Sequence, residues 1–146
     1  ENFIALPVPG LRLGFANIGI MLGIYILDFP AVMMIALIKS LIVPVFGGNL
    51  PVKLSIGLPA TFAAAFFMLT YVKFCGKFSS PVSTGAIGGA VHISVQFIMV
   101  YTLYIQTEAL FLMLPWFIIL SVAAGSLTGY ITLRMYNFIK KEIPEI

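Results

Sequence analysis

The chain reads as a run of apolar stretches divided by short breaks of proline, glycine and charge, and this division limits the possible folds more than any other feature. The first stretch, from about Phe15 to Asp28, follows the loop LPVPGLRLG, in which Pro7 and Pro9 bar a helix interior and Gly10 and Gly14 loosen the backbone. Phe29 and Pro30 break it, and Ala31 to Phe46 forms the second, with Pro44 kinking its last turn and the cluster Gly47, Gly48, Asn49 ending it. The third runs from about Leu54 to Tyr71, kinked near Pro59, and is followed by the polar loop KFCGKFSSP. The fourth runs from about Val82 to Ile105, and Gln106, Thr107 and Glu108 turn the chain into a fifth, which starts near Ala109 and is long enough to cross a bilayer and protrude before Lys140 and Lys141. A crossing helix needs about 20 mostly apolar residues. The pattern therefore predicts an all-α integral membrane protein, a single domain over residues 1–146, with five transmembrane helices in one bundle.

Composition removes the soluble alternative. Hydrophobic residues make up 61% of the chain and charged residues 9%, against about 25% charged in an average soluble domain. Eight basic and five acidic side chains cannot cover a globule of this size. The net charge of +3 then measures topology rather than nucleic-acid affinity, because Lys and Arg collect in cytoplasmic loops. Lys73, Lys77, Arg134, Lys140 and Lys141 fall on one side of the alternating helices and only Arg12 and Lys53 on the other. This predicts a multi-pass protein of the cell membrane with a cytoplasmic C-terminus and no nucleic-acid partner. An N-terminal segment outside, opening at Glu1 without an initiating Met, predicts a further helix upstream and six in the complete chain. Cys75 is the one cysteine, so an internal disulfide and a multi-thiolate metal site are excluded; it reads as a loop residue.

Lys39 sits near the middle of the second helix, where a cation costs roughly 2.5 to 3.5 kcal/mol by insertion scales. It is either a ligand-facing cation or a structural partner of Asp28 or Glu108, unless its stem snorkels to the interface. His92 and Gln96, four residues apart, share one helix face with Gly85, Gly88 and Gly89 below them, a small and polar stripe suited to an interhelical hydrogen bond or a ligand contact. One His without a second His or a Cys nearby is a poor metal site. Asn17, at the start of the first helix, is a cap or a pocket residue. Ser121, Gly125 and Gly129, with Thr128 and Thr132, form a packing ridge on the last helix. Trp116 and Tyr71, Tyr101, Tyr104 and Tyr136 read as interfacial anchors. No GxxxxGK[ST] loop is present, and Asp28 is the single aspartate, so the chain neither hydrolyses ATP itself nor holds paired Asp-rich metal sites. No nucleophile, base and orienting acid stand at suitable spacing, and neither enzymatic activity nor a cofactor is expected.

The string ENFIALPVPGLRLGFANI, Lys39, the GGN turn at 47–49 and the His92 region resemble the membrane family known as heptaprenyl diphosphate synthase component I, also called the Gx transporter family. That family is in turn similar to the substrate-binding S components of energy-coupling-factor transporters. The resemblance covers nearly the whole chain. It implies six helices, an outer loop at about 5–14 capping a pocket, a transmembrane coupling subunit, and ATPase subunits supplied separately. Arg12, in LRLGFAN, and Asn49, in the GGN turn, join Asn17, Lys39, His92 and Gln96 as the expected substrate-binding set for a small molecule. Two functions follow: a substrate-binding transport subunit, or a non-catalytic membrane partner of an isoprenoid (prenyl diphosphate) synthase.

Overall fold

The computed structural model describes residues 15–45 and 50–142. Among them the chain forms five α-helices: α1 (Phe15–Ile26), α2 (Phe29–Val45), α3 (Leu50–Cys75), α4 (Pro81–Leu103) and α5 (Ala109–Glu142). No strand occurs among the described residues. At 1.5 Å per residue, α3, α4 and α5 are about 39, 35 and 51 Å long, beyond the roughly 30 Å of a bilayer core. These three are long and apolar enough to cross a membrane, whereas α1 and α2, with 12 and 17 residues, are shorter apolar helices.

The breaks fall close to where proline and glycine place them, with instructive shifts. Phe29 and Pro30 do not interrupt a helix but open one, since a proline in the first turn lacks an N–H that would have no partner there anyway. Pro51 does the same in α3, which begins a turn earlier than expected. Cys75 is the last residue of α3 and not part of a loop. Gly76, at φ 45°, takes the left-handed conformation that lets the chain leave that helix. One turn of 3-10 helix (Gly76–Phe78) then leads to Ser80, which caps α4 by accepting from Ser83 N, while the Ser83 hydroxyl accepts from Ser80 N.

The helices close into a ring. Each packs on two main neighbours in the order α2, α3, α4, α5, α1 and back to α2. The tightest seam is α4 against α5: a Cβ placed on Gly85 would lie 2.1 Å from the carbonyl oxygen of Gly125, and one on Gly89 2.3 Å from that of Ser121. The ridge expected on α5 is thus a packing surface, with Gly129 meeting Pro81 and Ser121 Oγ donating to Gly89 O at 2.8 Å. Ile20, Met21 and Ile24 of α1 form the core with Val32, Ala36, Ala64, Ala65 and Met68. Burial follows size more than polarity. Thr84 and Thr132 are fully buried, while Leu112 is 79% and Trp116 72% exposed. In the most apolar 18-residue stretch of α5 no residue is buried within the chain. An apolar surface around a small-residue, hydroxyl-bearing interior fits a surrounding of lipid rather than water.

Candidate functional site

The ring encloses a cavity of about 390 Å³ to which all five helices contribute, within the range typical of small-molecule sites. Lys39 projects from α2 and donates a hydrogen bond to the side-chain oxygen of Asn17 on α1. Two residues that the sequence offered separately thus meet across a helix pair. Among the described residues, no carboxylate lines this cavity, and neither Asp28 nor Glu108 does.

On α4, Gln96 Nε2 lies 3.2 Å from His92 Nε2. With the amide donating to this nitrogen, Nδ1 carries the ring hydrogen. The His92 ring also lies beside the backbone of Ala60, which sets α4 against α3 at the level of Pro59. The glycine stripe beneath them is divided between two neighbours. Gly85 and Gly89 face α5, whereas Gly88 takes Met68 of α3, whose sulfur would lie 2.4 Å from an added Cβ. The absent side chains let α3 and α5 close on α4, and all three glycines still border the cavity.

Asn17, Lys39, His92 and Gln96 therefore line one space. Arg12, Asn49 and the expected lid over residues 5–14 lie outside the described residues. Sequence reasoning missed Lys53, Ser40 and Thr61, and it assigned Ser121 and Thr128 to packing alone; all five border the cavity. A signal for Lys53 exists: with Gly57, Thr61, Ala64 and Met68 it falls at helical spacing on one face of α3. Tyr71 is not merely interfacial, and Tyr25, which the sequence did not single out, acts beside it. Tyr25 Oη lies 2.8 Å from Thr84 Oγ1 and Tyr71 Oη donates to Ser83 Oγ at 3.2 Å, closing the end of the ring away from Lys53.

The site offers fixed positive charge, amide and hydroxyl groups, and apolar walls. Among the described residues, no three His, Cys, Asp or Glu side chains gather as metal ligands. Such a set can bind and orient a small polar or anionic molecule. Residues 1–135 match the family described as heptaprenyl diphosphate synthase component I. The chain belongs to that family. No curated protein and no solved structure matches it significantly. Every candidate residue of this family member, from Arg12 to Gln96, falls inside the matched segment.

Proposed function

We propose that the chain is the substrate-binding membrane subunit of a transporter, resembling the S component of an energy-coupling-factor system, and that it takes up a small molecule bearing an anionic or strongly polar group. A coupling subunit and separate ATPase subunits supply the energy. One observation carries this reading: the central cavity, lined by Lys39, Asn17, His92 and Gln96, within a ring of apolar helices. In this reading α1 and α2 complete five crossings, the C-terminus is cytoplasmic and the cell membrane is the location.

The family's own description favours a second reading, a non-catalytic membrane partner of a prenyl diphosphate synthase. Native mass spectrometry of gently purified protein separates the two. A retained small molecule that is lost in Lys39→Met, with the melting temperature unchanged or raised, supports transport. A Lys39→Met protein that melts earlier yet keeps its ligand refutes the pocket role of Lys39. Co-purification with a prenyl synthase and without ATPase subunits favours the second reading.

A further inference from the structure

We infer that Thr61 and Gly57 of α3 are the recognition face of this cavity for an uncharged ligand group that carries a carbonyl beside an N–H, with Thr61 donating the hydrogen bond and Gly57 leaving the room. The inference rests on the binding-subunit reading above and specifies what its substrate carries.

Thr61 stands apart from the other hydroxyl groups of the lining. A helical serine or threonine commonly returns its hydroxyl to a carbonyl three or four residues back. Ser40 donates to Ala36 O at 2.7 Å and Thr128 to Gly125 O at 2.8 Å, while Ser121 donates across the seam to Gly89 O. Thr61 makes no hydrogen bond among the described residues, although only 5% of its surface is exposed. Among those residues no buried side-chain oxygen or nitrogen lacks a partner, so the Thr61 hydroxyl is not sealed within the protein. It opens on the cavity that Thr61 borders. In a mostly apolar site, the few polar atoms left open to it are the ones that orient a bound molecule.

Gly57 lies one turn before Thr61 on the same face of α3 and borders the same cavity. A Cβ placed on Gly85 or Gly89 would strike α5, and one on Gly88 would strike Met68; a Cβ on Gly57 meets nothing within 4 Å. Helix packing therefore accounts for the three glycines of α4. It does not account for Gly57, whose missing side chain leaves space in the cavity and not in a seam.

The facing helix supplies the complementary group. Gly88 meets Met68 and the His92 ring lies beside Ala60, so α4 runs antiparallel to α3. Gln96, one turn beyond His92, thus comes toward the level of Gly57. With its nitrogen engaged by His92, the Gln96 amide keeps its oxygen as an acceptor. A donor on α3 and an acceptor on α4 match a carbonyl and an N–H in one molecule. A carboxylate satisfies the first and leaves the second unmet.

The test uses the purified full chain in phosphatidylcholine nanodiscs, with benzamide and acetophenone as probes of nearly equal shape and affinity read from probe-dependent melting. Benzamide is expected to bind about fivefold more tightly than acetophenone, which has a methyl group in place of the NH₂. Thr61→Val should weaken benzamide binding about tenfold and Thr61→Ser should keep it. Without a probe, Thr61→Val should melt no earlier than the wild type, because its hydroxyl bonds nothing within the protein. Gly57→Leu should abolish benzamide binding at an unchanged or raised melting temperature; if that variant does not fold, Gly57→Ala makes the same test by a smaller step. Equal binding of the two probes, wild-type benzamide affinity in Thr61→Val, or undiminished binding in the folded Gly57 variant overturns the inference. If the wild type takes up no benzamide, the inference also falls. The binding-subunit reading falls with it only when native mass spectrometry shows no retained molecule that depends on Lys39.

Discussion

Thr84 has no exposed surface, and the phenol of Tyr25 supplies its partner across the α1 and α4 interface. Tyr25→Phe is therefore expected to lower stability by about 1 kcal/mol, measurable as a reduced melting temperature in detergent. Thr84→Val should cost a similar amount, and the double variant should cost little more than either single one, because both remove the same bond. This pair was not visible in the sequence, since Tyr25 and Thr84 are ordinary residues of two helices and only the ring closure brings them together. Lys39 was visible, because a lone cation in an apolar stretch signals its own cost. Lys53 was hidden by its place beside a break, where a lysine reads as an ordinary charge at a helix end and raises no question.

Among the helices, the α4 and α5 seam has the least tolerance. Gly85→Ala would push a methyl group into the Gly125 carbonyl, and the helices must separate to admit it. A loss of about 1 to 3 kcal/mol is expected, with a lower melting temperature and looser α4–α5 cross-linking between engineered cysteines. Gly19 on α1 is the control, since an added Cβ there meets nothing within 4 Å. Gly19→Ala should leave stability unchanged or raise it by up to about 1 kcal/mol, through the better helix propensity of alanine. The small-residue ridge on α5 was legible as a contact surface from its four-residue spacing. Its partner was not, because the stripe on α4 offers the same spacing to two neighbours, and only the structure assigns Gly88 to Met68 and Gly85 and Gly89 to α5. The start at Phe29 was misjudged because Pro30 was read as a break where it occupies a first turn, and the start of α3 at Leu50 was placed near Leu54 although Pro51 fits a first turn as well.

For the molecule in its membrane, the proposed orientation puts the basic residues of the α3–α4 turn and the end of α5 on the cytoplasmic side, so Lys140→Cys in a Cys75→Ser background is expected to react with an impermeant thiol reagent in opened vesicles but not from outside intact cells. Labelling from outside would reverse the orientation. The ring order also has a consequence for biosynthesis. The helix made first among the described residues, α1, finds one of its two walls in the helix made last, α5. A ribosome that has released α1 through α4 has therefore delivered most of the polar groups of the site but no closed cavity, and in the proposed topology α1 waits in the bilayer beside α2 until more than a hundred residues separate it from the growing end. Contacts of that sequence separation form late. Until then Lys39 and His92 stand in a groove that lipid can enter, so an insertase or chaperone that shields this groove should matter more for this chain than its modest length suggests.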